Sequence, residues 1–171
     1  RQPGAGHDRR KTHHHDRRAA PLRSAERAHH RRIEEFNNRG VQVVGVSIDS
    51  PFTHVAWRNT EPKAGGIGPI GFPMVADIKH TIVADYGIEH PDGVAFRASF
   101  LIDKAGVVQH QVVNNLPLGR NVDEMLRLVD ALQFTEEHGE VCPAGWNKGD
   151  EGMKADAKGV ASYLGSHSEK L

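Results

Sequence analysis

Val41-Gln42-Val43-Val44-Gly45-Val46-Ser47-Ile48, followed at once by Asp49-Ser50-Pro51-Phe52, is the stretch that decides the fold. Its first eight residues form a short, β-branched, nearly continuous apolar run. That pattern predicts a strand buried on both faces, as in a parallel sheet. Ser50 is then a helix N-cap and Pro51 suits the first helical position, so a helix opens there and runs to about Asn59.

On the N-terminal side, Ser24 to Asn38 reads as a helix ended by Gly40. On the C-terminal side, Glu61 to Gly71 is a Gly/Pro-rich loop holding Gly65-Gly66-Ile67-Gly68, and Phe72 to Ala76 suits a short strand. Asp77 is placed to cap a helix carrying Ile78, Ile82 and Tyr86 that Gly87 stops. Ala98 to Asp103 and Val107 to Val113 read as strands of a hairpin joined by Lys104-Ala105-Gly106. Asn121, with Glu124 three residues on, opens a last helix whose Val122, Met125, Leu126, Val129 and Leu132 make one apolar face. Strand, helix, strand, helix, hairpin, helix: that order predicts an α/β domain with a mixed sheet flanked by helices.

Composition bounds the rest. The 171 residues suit one ordinary domain with a real core. No apolar run approaches the eighteen or so residues of a membrane helix, and no leader resembling a signal peptide is expected. A single cysteine excludes an internal disulfide framework and a Cys-based zinc site, and it points to a reducing, cytoplasmic compartment. Asp49, Asp77 and Asp103 follow strands, where they cap turns or helices, and no metal or cofactor set emerges from them.

The net charge of zero hides an asymmetry. Residues 1–32 are net +7 and residues 33–171 net −7, and six of the twelve His lie in the first 30 positions. Residues 1–23 have almost nothing to bury and are expected to be a disordered basic arm. Two functional readings compete with that one. Arg9, Arg10, Lys11, Arg17 and Arg18 suit phosphates, and His13, His14 and His15 suit a metal ion. Neither has supporting chemistry around it, so a nucleic-acid partner is not the favoured reading.

Several stretches together resemble the typical two-cysteine peroxiredoxins, which include the alkyl hydroperoxide reductase C component. They are Arg32-Ile33-Glu34-Glu35-Phe36, Val46 to Ser50 with Phe52-Thr53-His54 and Trp57, Gly65 to Gly68, and Val75-Ala76-Asp77. Phe96 to Asp103, Gly119 to Glu124 and His138 to Trp146 follow in the same order, and the block around Cys142 is the most specific. The resemblance implies a thioredoxin-like fold, with a domain over 24–138 and a tail over 139–171. It also implies reduction of hydrogen peroxide and alkyl hydroperoxides as an antioxidant function. In that chemistry a peroxidatic thiolate becomes a sulfenic acid, and a resolving thiol from the partner subunit condenses with it to a disulfide. Thioredoxin or a flavoprotein disulfide reductase then reduces the disulfide.

By the same resemblance Cys142, in Glu-Val-Cys-Pro, matches the resolving cysteine. Arg97 matches the active-site arginine, and Arg120 a second arginine that braces the peroxidatic loop. Gly65 to Gly68 resembles the Gly-Gly-Leu-Gly loop of peroxide-sensitive members, and Tyr163-Leu164 the Tyr-Phe pair that packs on it, with Leu164 in place of Phe. The implied assembly is a homodimer that pairs Val107 to Val113 across subunits, extending to a ring of dimers such as a decamer.

The departure lies upstream. Leu22, within Ala20-Pro21-Leu22-Arg23, occupies the position where the family has its peroxidatic cysteine, and no apolar strand leads into it. The expectation is a fold truncated at its N-terminus, with residues 1–31 altered by a frameshift, a mispredicted start or a sequencing error. Peroxidase activity of this literal chain is then expected to be impaired. The alternatives are a non-catalytic relative that oligomerises and lends Cys142 to intact relatives, or a binding module built on the basic, His-rich arm.

Overall fold

The computed structural model describes residues 23–170. They fall into two compact units. The first comprises 23–34, 42–98 and 113–120, and the second 35–41, 99–112 and 121–170. Of the arm expected over residues 1–23, residues 1–22 lie outside the described residues, and Arg23 begins a helix.

In the first unit, helix α1 covers residues 23–31, and a turn at Arg32 separates it from α2 (Ile33–Asn38), of which residues 35–38 belong to the second unit. The strand predicted over 41–48 contracts to β1 (Gly45–Ser47), which pairs in parallel with β2 (Met74–Ala76) in the register Val46 with Val75. Burial on both faces does not hold. Val44, Val46 and Val75 are 49%, 37% and 38% exposed. The sheet has two strands among the described residues, and its valine face is only partly covered. The opposite face is packed. Ser47 is buried, and its hydroxyl meets His54 Nε2 at 2.7 Å.

Helix α3 (Pro51–Asn59) starts where the sequence places it, the Ser50 side chain accepting from Thr53 N at 3.1 Å. Its Trp57 joins Ile67, Ile70 and Phe72 in a core flanked by Ile33, Val43 and Met74. Ile67 is completely buried, and burial of that kind contributes about 1.5–3 kcal/mol.

Helix α4 (Thr81–Asp85) begins later than predicted, because His80 adopts φ 58° and breaks the helical path. Asp77 still caps it across that turn, accepting from Val83 N at 2.9 Å and from the Thr81 hydroxyl. Burial works against the ionised form of Asp77. The Val83, Ile82 and Thr81 donors outweigh burial and hold its carboxyl below the usual range. The buried apolar residue of α4 is Val83, while Ile78 is exposed. A small antiparallel pair that the sequence did not announce follows, β3 (Glu89–His90) with β4 (Val94–Ala95).

β5 (Arg97–Ile102) and β6 (Val108–Asn114) form the predicted hairpin. The short connection between them permits only antiparallel pairing. Asp103 organises the turn, accepting from Ala105 N, Val107 N and Gln109 Nε2 at 2.7–2.9 Å. In the second unit α5 (Val122–His138) is capped by Asn121, which accepts from the N–H groups of Asp123 and Glu124. Gly139 at φ 67° ends it. Val122, Met125, Leu126 and Val129 are buried as the spacing predicts, while Leu132 of the same face is half-buried. Residues 139–153 close through a Val141–Met153 bridge. The chain ends in α6 (Ala157–His167), which the Gly- and Lys-rich tail did not signal and which Asp156 caps onto Gly159 N.

Candidate functional site

Two of the three singled-out side chains meet in the first unit. Arg97, the first residue of β5, is 8% exposed, and its Nε donates to Leu116 O at 3.4 Å. Arg120, the residue before the Asn121 cap, donates from Nη1 to Ala98 O at 3.2 Å. Both arginines line a cavity of about 100 Å³ together with Ser24, Ala25 and Ala28 of α1 and with Leu118 and Gly119. Arg120 Nη2 is buried and has no hydrogen-bond partner among the described residues.

The electrostatics of this pocket are those of cations out of water. Burial pushes the Arg97 guanidinium down from its ordinary pKa. Burial does the same to Arg120, with Glu26 opposing the shift and the like charge of Arg97 adding to it. Glu26 on α1 is itself buried. Desolvation raises its carboxyl pKa, and Arg120 restrains the rise. Its carboxylate sits where a side chain at position 45 would go, since a Cβ on Gly45 would lie 2.9 Å from Glu26 Oε2. Sequence reading missed Glu26. Its one signal was a carboxylate between Ala25 and Ala28, on the face of the helix that packs.

Cys142 belongs to the second unit, among different neighbours. It is half-buried, with Sγ 3.6 Å from Ala131 O and 3.9 Å from the Thr135 hydroxyl on α5. The loop bearing it is tied down by Arg127, another residue the sequence reading did not single out. Arg127 Nη1 donates to Trp146 O at 2.7 Å, while Nε and Nη2 grip Glu124 at 2.7 Å each. The bond to Glu124 raises the Arg127 pKa, and the charge of Cys142 adds to that. Trp146 is buried against Phe134 with ring centroids 5.0 Å apart, and its Nε1 donates to Asp150 O.

The glycine loop is built as tightly as its composition requires. Gly65 has φ 89°, and a Cβ on Gly66 would run into the Thr60 carbonyl. Ile67 N then reaches Trp57 O at 2.9 Å, and Arg27 Nη1 reaches Ile67 O at 3.2 Å. Tyr163 stacks on His167 within α6, and Leu164 is 42% exposed. Leu22 and His13 to His15 lie outside the described residues. No cluster of three metal-ligating side chains occurs among the described residues, and no helix there is long and apolar enough to cross a membrane.

Comparison with known proteins places this arrangement. Residues 21–111 match the AhpC/TSA family, and residues 131–166 match the C-terminal domain of 1-Cys peroxiredoxin. Alkyl hydroperoxide reductase C of Buchnera aphidicola subsp. Acyrthosiphon pisum is 58% identical over 135 residues, 78% of this chain and 68% of that protein. Alkyl hydroperoxide reductase C of Helicobacter pylori strain J99 is 57% identical over 141 residues, 82% of this chain and 71% of that protein. Among solved structures, the reduced 2-Cys peroxiredoxin of Plasmodium vivax superposes with a TM-score of 0.84 at 44% identity, covering 85% of this chain and 76% of that one. The chain belongs to the AhpC/TSA family, the peroxiredoxins, and its fold is their thioredoxin-like α/β fold.

Proposed function

We propose that this chain works in thiol-dependent reduction of hydrogen peroxide and alkyl hydroperoxides by supplying the arginine pocket and the resolving thiol. The observation that carries the reading is that Arg97 and Arg120 line one small cavity. A cationic, desolvated pocket lowers the pKa of a thiolate docked in it and stabilises the charge that develops when a peroxide O–O bond breaks. On this reading Arg97 contacts the thiolate and the peroxide oxygen, and Arg120 braces the loop that bears the thiolate.

Cys142 is the single cysteine of the 171 residues, and on this reading the peroxidatic thiolate is supplied by a second family chain. That thiolate attacks the terminal peroxide oxygen, giving a sulfenic acid and releasing the alkoxide, which takes up a proton as alcohol or water. The Cys142 thiol then displaces hydroxide from the sulfenic sulfur, forming a disulfide and water. A dithiol reductant, thioredoxin or a flavoprotein disulfide reductase, returns both thiols by exchange. The location of Cys142 in a half-buried loop held by Arg127 supports this, since such a thiol is accessible to a docked partner and restrained otherwise.

The same reading takes residues 24–138 as the catalytic domain, 139–171 as the resolving tail and 1–23 as an appended basic arm. It places the protein in the cytoplasm as a homodimer joined along Val107 to Val113, and as a ring of dimers beyond that. Supporting the pairing are Val107, Val108 and Val113, exposed in or beside β6.

A peroxide-consumption assay with a thiol reductant tests the proposal. The chain alone should show no turnover above the reductant blank. Mixed with a two-cysteine relative whose resolving cysteine has been replaced, it should restore turnover, and Cys142→Ser should not. Turnover by the chain alone, or no rescue in the mixture, would overturn the reading.

A further inference from the structure

His54 and Ser47 form a buried polar pair that neither the arginine pocket nor the resolving thiol uses. His54, in the first turn of α3, is 5% exposed, and Ser47 of β1 is 3% exposed. Their Nε2 and Oγ atoms lie 2.7 Å apart. Ser47 Oγ also accepts from Asp49 N at 3.3 Å, which leaves its own proton to point at Nε2, so the arrangement suits a neutral ring that accepts there. A proton added at Nε2 turns that acceptor into a donor and sends the Ser47 proton to find another acceptor in a buried place. It also sets a cation out of water at the positive end of a helix.

The charged groups around the ring do not offset this. Asp49, in the turn between β1 and α3, favours the cation, but burial outweighs it and holds the imidazole below its ordinary range. Asp77, just beyond β2, is engaged by Val83 N and the Thr81 hydroxyl. Arg58 on α3 donates to Ile70 O, and Arg23 of α1 lies over the Trp57 ring at 5.8 Å. Both are cations and oppose a further positive charge. The pair also stands at the base of the glycine loop. The His54 ring packs on Trp57 with centroids 5.6 Å apart. Trp57 O accepts from Ile67 N at 2.9 Å, and Thr60 O accepts from Gly68 N at 3.1 Å.

We infer that the Ser47–His54 bond is an acid-sensitive latch: it fastens α3 to β1 and, through Trp57 and Thr60, holds the loop of residues 65–68 closed, and a proton on His54 opens it. The open form takes up one proton that the closed form excludes. Below the ordinary histidine pKa of about 6.5, opening therefore grows by about tenfold per pH unit until the closed form protonates as well. The latch is separate from the arginine pocket, and its test needs neither peroxide nor a partner chain.

Amide hydrogen exchange of the full chain reads the latch, once corrected for the intrinsic pH dependence of exchange. In the wild type, opening over residues 61–71 should speed up about tenfold between about pH 6.5 and 5.5, while α4 in the same unit changes far less. His54→Gln keeps a polar side chain that cannot titrate, and it should lose that acceleration. Ser47→Ala removes the hydroxyl, and its loop should already exchange about tenfold faster than the wild type at neutral pH. If one variant fails to fold, the other decides. A wild-type rate that does not change with pH, or an equal acceleration at α4, overturns the inference. So does the wild-type pH dependence in His54→Gln, or the wild-type neutral rate in Ser47→Ala.

Discussion

Asp130 in the second unit and Arg120 in the first are both charges taken out of water, and they are treated in opposite ways. Asp130 is 8% exposed and receives Arg39 Nε at 2.8 Å, Arg39 Nη2 at 2.9 Å and Lys148 Nζ at 3.2 Å. Arg120 has a bond to Ala98 O, a buried nitrogen with none among the described residues, and a like charge beside it. A satisfied buried ion holds elements together. An under-satisfied one is a candidate for a functional site.

The comparison can be broken most forcefully at Asp130. Asp130→Asn should destabilise the chain by about 2–3 kcal/mol in urea denaturation, discounted for the exposure of Lys148, because it leaves Arg39 without its bidentate partner. The bonds from Arg39, with help from Lys148, hold the Asp130 carboxyl below its ordinary range. A depressed carboxyl contributes stability above its unfolded pKa, about 3.9, and loses it as pH falls through the folded value. The wild type should therefore weaken in acid, and the Asn variant should lack that part of the pH dependence.

Arg127→Ala should cost less, about 1 kcal/mol, through loss of its bonds to Glu124 and Trp146 O. Its informative readout is the thiol. Alkylation of Cys142 by iodoacetamide should speed up severalfold as the loop loosens, and an unchanged rate would show that Arg127 does not restrain it.

Arg120→Met should cost about 1 kcal/mol, less than the Asp130 variant, because it removes a partly bonded desolvated charge while leaving buried Glu26 without its opposing charge, which protonation of that carboxyl relieves. A loss as large as that at Asp130 would erase the contrast between the two regions. Glu26→Gln should have the smallest effect, and its sign is diagnostic. A carboxyl whose folded pKa is raised binds its proton more tightly when folded, so Glu26 costs stability as pH rises from about 4.3 through its folded value. The Gln variant lacks that falling contribution, so its stability relative to wild type should rise with pH over that interval, and a relative fall would mean that Arg120 dominates burial.

Much of the fold was legible because local chemistry fixed it. Ser50-Pro51, Asn121 with Glu124, and Asp103 with Gly106 each set an element boundary within a residue or so of where the structure has it. The misses came from tertiary context. Val41 to Ile48 was read as doubly buried because β-branched composition reports what a strand prefers, whereas exposure depends on what lies beside it. α4 started late because His80 takes a left-handed conformation that no local pattern requires. β3 and β4, two residues each, are too short for a period to register.

The site divides the same way. The family motifs carried Arg97, Arg120 and Cys142, and the structure places the two arginines on one cavity. Glu26 and Arg127 were not legible, since nothing in a sequence says that a carboxylate on α1 is buried near Arg120 or that Arg127 reaches the carbonyl of Trp146. Those are three-dimensional facts about charges, and they separate the pocket from an ordinary pair of surface arginines.

The most direct test of the account is covalent. The chain is mixed with a relative that keeps its peroxidatic cysteine and lacks its resolving one, one equivalent of hydrogen peroxide is added without reductant, and the products are resolved by intact mass. The account predicts a mixed disulfide equal to the sum of the two chains less two hydrogens, mapped to Cys142 and lost in Cys142→Ser. A relative that accumulates only as its sulfenic or sulfinic acid, with Cys142 still free, would contradict it.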